Sequence, residues 1–241
     1  MKKTIFIFAA AILILFTTGC ASSGKAIIEQ RDPIALVSLV SNRDINWKGE
    51  ESTNSNAFSI LGNRTLREDP DMTLASNADD LINAAEALFR ATLDASPLIN
   101  LADRGTVLSS RAYQEAKSRV DQLRQKNIKP SDYGFINSRD RNFPASLSGE
   151  TGIQRSMFVE FDFTKAMYGG IGKNGDGRAE LEMTILILDS SGKALYNKKY
   201  STWSSSTMKV SGGVYSQTEL MELFEEAITS ACNMFLYQLE N

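Results

Sequence analysis

The sequence predicts a mixed α/β (α+β) fold: a single domain with a mixed, largely antiparallel sheet of about five strands packed by three or more helices. Three observations carry that expectation. Residues 34–40 form an early apolar run of the kind found in central strands. Residues 157–163 and 181–187 alternate apolar and polar side chains with the period of two that a half-wet strand requires. Several other segments repeat apolar residues at helical spacing, most regularly from Leu220 to the end of the chain. At 42% hydrophobic content, residues 33–241 can bury one core.

In the first strand, Pro33 is tolerated because a first strand position needs no ladder donor. Residues 42–76 follow as a long polar excursion rich in Asn, Ser, Thr and Glu, with Trp47 and Phe58 embedded in it. A structureless stretch of that length is rare in a compact domain unless it is functional or tied down. Trp47 and Phe58 are therefore expected either to pin the excursion to the core or to contact a partner.

Ser76 or Asn77 is placed to cap a helix over 79–95, with Asp79 and Asp80 near its positive end. Its apolar stripe runs through Leu81, Ala85, Leu88 and Leu93, and Pro97 stops it. A short strand is expected over 98–102 and a second helix over 107–126, with Tyr113, Ala116, Val120 and Leu123 on one face. Residues 127–152 read as turn-rich because of Pro130, Gly134 and Pro144.

Three strands follow, at 157–163, 181–187 and 195–203. The turn Asp189-Ser190-Ser191-Gly192 makes the last two an antiparallel hairpin. The closing helix opens on a capping box, Ser216-Gln217-Thr218-Glu219. Leu220, Phe224, Ala227, Ile228, Ala231, Phe235 and Leu239 then give it one apolar face, which should pack on the sheet.

Ahead of this body, residues 1–19 have the layout of an export leader: Lys2 and Lys3, twelve apolar residues from Ile5 to Phe16, then Thr17-Thr18-Gly19-Cys20. Such an apolar core is shorter than the ~20 residues of a permanent membrane span. The stretch resembles a bacterial lipoprotein signal, with cleavage between Gly19 and Cys20 and a lipid carried on Cys20, although Thr17 stands where that pattern prefers Leu. Residues 20–32 become the lipidated N-terminus and a short tether. By the same resemblance, Ala21 after the cysteine implies the outer membrane, facing the periplasm.

Composition then narrows the chemistry. Loss of the leader with Lys2 and Lys3 takes the formal charge from −3 to −5, and no basic patch invites nucleic acid. With Cys20 lipidated, Cys232 is the one remaining thiol, so no internal disulfide forms, and its helical apolar setting suggests burial. The sequence has no histidine, which removes the commonest general base and metal ligand together. Only carboxylate, lysine or tyrosine chemistry stays open. No catalytic residue, metal ligand or cofactor is expected.

Two patterns mimic sites. Gly170, Gly172 and Gly175 spell G-x-G-x-x-G, but a strand rather than a helix follows, so a hairpin connection is expected. Asn174 and Asp176 in that loop lack the bidentate Glu of a calcium loop. Glu160 with Asp162, and Glu180 with Glu182, place acids on shared strand faces; in a cleft they could serve glycoside hydrolysis, and on an open face they are solvated polar residues. Asp103 and Arg104 read as a structural ion pair or a partner contact.

The order of elements resembles a group of envelope lipoproteins that includes the curli secretion-channel lipoprotein, lipoprotein activators of penicillin-binding proteins and proteins with a TolB N-terminal-like α/β module. The resemblance rests on the strand at 34–40, the helix at 79–95, and the stretch from Leu98 to Asp103-Arg104 leading into a second helix. The hairpin with Ser190-Ser191-Gly192-Lys193 and the C-terminal helix complete it. It implies an envelope lipoprotein with an α/β body. Two features depart from the group: residues 21–32 are too short to cross the periplasm, and the 180–203 hairpin carries charges where a pore-forming hairpin would face lipid. The expectation is a non-catalytic accessory or protein-interaction component, anchored to membrane lipid through acylated Cys20 and contacting an envelope protein through 42–76 or 127–152. The alternatives are a carboxylate-based enzyme and a small-ligand binding lipoprotein.

Overall fold

The computed structural model describes residues 27, 32–48, 74–120, 127–171 and 174–241, with the backbone alone at 74–77 and 118–120. Gly19, Cys20 and Phe58 lie outside the described residues. Six strands form one open, mostly antiparallel sheet: β1 Ile34–Asn42, β2 Asn127–Ile128, β3 Arg155–Ile171, β4 Asn174–Asp189, β5 Ala194–Trp203 and β6 Met208–Val210. The order is β2-β1-β3-β4-β5, with β6 added to the far part of β4; β1 and β3 are parallel and every other pair is antiparallel.

Five helices cover the sheet: α1 Leu74–Asp94, α2 Arg104–Ser109, α3 Arg111–Val120, α4 Asn142–Thr151 and α5 Gln217–Glu240. On one face α1 and α5 pack over Met157, Val159, Phe161 and Phe163 of β3 and the matching residues of β4. The rings of Phe89, Phe161, Phe163 and Phe224 run in sequence from α1 through β3 to α5, with centroids 5.0 to 6.1 Å apart. On the other face α2, α3 and α4 close a smaller core of Val107, Tyr113, Phe143, Leu147 and Phe158. β1 lies between both cores. A register shift between Leu36 and Ser38 sends Ile34, Leu36 and Leu39 to one side and Ala35 and Val37 to the other, which is why its sequence is apolar without alternation.

Four local expectations are corrected. The first helix begins at Leu74, before the expected cap at Ser76 or Asn77. Residues 98–102 make a single parallel bridge, Leu101 to Ile34, in place of a strand. The second helix is broken at Ser110, whose extended backbone ends α2 while its hydroxyl accepts from the Tyr113 amide of α3. The Glu150 carboxylate of α4 takes the next two free amides, of Arg111 and Ala112, at 2.8 Å each. Residues 127–152, read as turns, contain β2 and α4; Pro144 sits in the first turn of α4, where a missing donor is harmless, and Gly152 closes it with φ 76°.

β3 and β4 continue as an arm, which β6 joins as a third strand along Gly175–Gly177. Gly170 faces Gly175 across it, and a Cβ on Gly170 would stand 1.9 Å from the Asn174 carbonyl oxygen, so the glycine letters serve close backbone approach in a hairpin. Asn174 accepts from the Gly212 amide and Asp176 pairs with Lys209, which spends both calcium candidates on holding β6.

Candidate functional site

The chain enters the body at a fixed point. Ile27 is buried in the larger core, and the buried Arg155 donates to its carbonyl at 2.9 Å while lying 3.6 Å from Asp32. Folded structure therefore starts earlier than residue 33. Because Ile34 pairs with Arg155, this entry lies at one end of the sheet and the β3–β4 arm points from the other. At the arm, Tyr168 and Ile171 are 65% and 89% exposed.

Trp47 is half-buried beside this arm. Its neighbours Asn46 and Lys48 exchange backbone hydrogen bonds with Lys165 of β3, and its ring meets Tyr215 edge-on at 5.7 Å. The Lys165 ammonium is buried between the two rings, 5.4 Å from Trp47 and 5.0 Å from Tyr215, and donates to the Tyr215 hydroxyl at 2.9 Å. A Cβ on Gly177 would stand 3.3 Å from the Trp47 ring, so that position leaves room for the indole. The start of the 42–76 excursion is thus tied to the arm through Trp47.

The carboxylates lie on the open part of the sheet. Asp162 faces Glu182 across β3 and β4, and Glu160 faces Thr184. Glu160, Asp162 and Glu182 are exposed, and no helix covers them. Desolvation and then the charge of Glu182 hold Asp162 above the usual carboxylate range, whereas the Lys199 ammonium at 2.7 Å holds Glu182 below it. Glu180 is gripped by Lys48 at 2.7 Å and Arg178 at 2.8 Å. The set is a surface charge lattice on a sheet face. Among the described residues no group of acids or thiols is disposed to hold a metal.

Asp103 and Arg104 do not serve as a pair. Asp103 caps α2 through the Thr106 amide at 2.7 Å, and those bonds lower its pKa. Arg104 stacks on Tyr133 and reaches Asp132 at 3.0 Å and the buried Glu86 at 3.6 Å, tying α2 to α1. Burial, reinforced by the Glu86 charge, raises the Tyr133 phenol well above its ordinary value. Cys232 is buried on the inner face of α5 and burial pushes its thiol up to about 12, so it is inert near neutral pH.

A groove of about 1080 Å³ runs along the outer side of α5. Its walls include Leu88 of α1, Tyr200 and Trp203 of β5, and Glu222, Met234 and Tyr237 of α5; Thr229, Ser230 and Asn233 supply small polar floor positions. Trp203, Met234 and Tyr237 are 58%, 44% and 69% exposed. Glu226 braces one wall by accepting from the Ser206 amide and Ser205 hydroxyl, which lower its pKa. Sequence reading missed this groove. The available signal was that α5 carries five glutamates and no basic residue, with Met234 and Tyr237 off its apolar stripe.

No protein-family model and no curated protein matches the chain. Two solved structures are similar at a low level. A hypothetical protein from Chlamydia trachomatis shares 8% identity over 73% of each chain, with a TM-score of 0.35. A lipoprotein from Neisseria meningitidis shares 13% identity over 86% of this chain and 99% of that one, with a TM-score of 0.31. Likeness at these scores carries no argument about what the chain does.

Proposed function

We propose that the protein is a bacterial envelope lipoprotein, palmitoylated at Cys20 in the outer membrane and facing the periplasm, that acts by binding another envelope protein and not by catalysis. The anchor rests on the leader and on Gly19-Cys20, with Ala21 favouring outer-membrane sorting. The observation that carries the binding role is the α5 groove, a concavity lined by exposed aromatics. None of the acids at 160, 162, 180 and 182 lines it, and the chain has no histidine to act as a base. Trp47 and Phe58 belong to the same proposal as secondary contacts.

The anchor also orients the body. From Cys20 to the fixed Ile27 the chain spans at most about 25 Å at about 3.3 to 3.6 Å per residue, so the Arg155 end stays near the membrane. The arm tip lies about 50 Å along β3 from that end, at roughly 3.3 Å per strand residue. A body held this closely matches the short tether and not a reach across the periplasm, which separates it from the linker-bearing members of the group it resembles.

Two measurements in intact cells test the proposal. Clickable fatty acid should label the parent and not Cys20→Ala; equal labelling of both, or of neither, removes the anchor. A photo-crosslinking amino acid at position 237 should give a discrete protein adduct, while one at position 160 on the open sheet face should give none. Absence of any adduct from the groove sinks the binding role.

A further inference from the structure

The groove described above also selects the chemistry of what fills it, an inference that rests on the binding role just proposed. Its glutamates have no counter-ions: among the described residues no Lys or Arg lies within ion-pairing distance of Glu222 or Glu225, and α5 supplies none of its own. The contrast is the open sheet face, where Glu180 and Glu182 are each held by a cation. Lys198 and Lys199, on the neighbouring edge strand, do not line the groove. Beside the acids run Leu88, Met234 and Tyr237, the last two exposed, while Trp203 borders the groove from the edge strand with the Arg178 guanidinium 5.2 Å from its ring.

We propose that this groove receives a cationic, amphipathic segment of a partner protein, its apolar side chains on Met234 and Tyr237 and its Lys or Arg residues on Glu222 and Glu225. Charge decides among occupants. A second copy would bring a second row of glutamates against the first, and anionic lipid or nucleic acid would meet the same repulsion. A neutral apolar segment would leave the acids partly desolvated and unpaired. A basic amphipathic segment satisfies both halves, as in helix-in-groove recognition.

The test uses the mature lipoprotein in zwitterionic lipid nanodiscs, with empty nanodiscs as the blank. Trp47→Phe leaves Trp203 as the single tryptophan and so as a reporter at the border of the groove. The probe is an 18-residue helix-forming peptide of Leu and Lys with Leu at i, i+3 and i+4. It should shift Trp203 emission saturably at one peptide per chain, and added salt should weaken it. Glu222→Gln with Glu225→Gln, and separately Met234→Ser with Tyr237→Ser, should each weaken binding at least tenfold while leaving the urea midpoint unchanged. No binding, binding unaffected by those variants, or equal binding of a Leu/Glu peptide or of a Ser/Lys peptide overturns the inference. So does an adduct at position 237 of twice the chain's mass, which assigns the groove to a second copy. If the peptide fails while a heterologous adduct at 237 persists, the binding role stands and only the partner's chemistry is wrong.

Discussion

The inner and outer faces of α5 differ in almost everything but their backbone. The inner face buries nine side chains, from Leu220 to Leu239, against the sheet and α1. The outer face carries Glu222 and Glu225, which form no ion pair among the described residues, and the exposed Met234 and Tyr237. The inner face is therefore bound to stability, and the outer face is free to be bound to something else. That division is testable by substitution, and the largest effect should come from the inner side.

Phe224 is fully buried and meets Phe163 at a centroid distance of 5.0 Å. Phe224→Ala should cost about 3 to 5 kcal/mol in urea unfolding, the range for emptying a packed aromatic site. Tyr237→Ser on the outer face should stay within about 0.5 kcal/mol of the parent. Comparable losses at both positions would show that the outer face is part of the core, and the groove would lose its standing as a binding surface.

The arm gives an intermediate case, because there a buried charge lies between two half-buried aromatic rings. The Lys165 ammonium has the Tyr215 hydroxyl as its hydrogen-bond acceptor in the Trp47–Tyr215 box. Tyr215→Phe removes that acceptor and leaves a buried donor unsatisfied, which should cost about 1 to 3 kcal/mol. Adding Lys165→Met should recover most of the loss, since an apolar pair of similar size has nothing left to satisfy. If the double variant is no better than the single one, the box is held by ring packing and the ammonium is incidental.

The same contrast explains what could be read without coordinates. The inner face of α5, the alternation in β3 and β4, and the Asp189–Gly192 turn are local periodic signals, and all fall where expected. Elements set by contacts between distant residues were not legible. Ser110 breaks a continuous apolar pattern because Glu150, far along the chain, supplies caps for α3. The 98–102 segment has strand composition but only Leu101 pairs with β1. α4 was hidden by Pro144, which reads as a breaker unless the first turn is already known. The groove draws on α1, β5 and α5, and no window of sequence contains it.

The start of α5 offers a smaller test of how far local signals reach. Ser216 has extended backbone and accepts from the Glu219 amide at 3.3 Å, as the capping box requires. Ser216→Ala should cost about 1 kcal/mol in urea unfolding. Because the cap lies ahead of the groove walls at Glu222 and beyond, peptide binding at Tyr237 should be unchanged. A cap variant that abolished binding would mean that groove and helix stability are one property.

The smallest effect separates the two acidic surfaces of the molecule. On α5, Glu222 and Glu225 form no ion pair among the described residues, whereas on the sheet Asp162 and Glu182 share one cation, Lys199. Burial and the Glu182 charge raise the Asp162 pKa in the folded state, so the native protein holds that proton to higher pH than the unfolded chain does. Stability from this group is therefore present at low pH and falls as pH rises from the unfolded value, about 3.9, through the raised folded value. Asp162→Asn removes the term and should make the protein more stable near pH 7 and indistinguishable from the parent near pH 3. Asp162 is solvent-exposed, and screening limits the gain to about 0.3 kcal/mol. A loss at pH 7 would mean that the ionised Asp162 is favourably paired, and that the sheet face, no less than α5, holds its acids for a purpose.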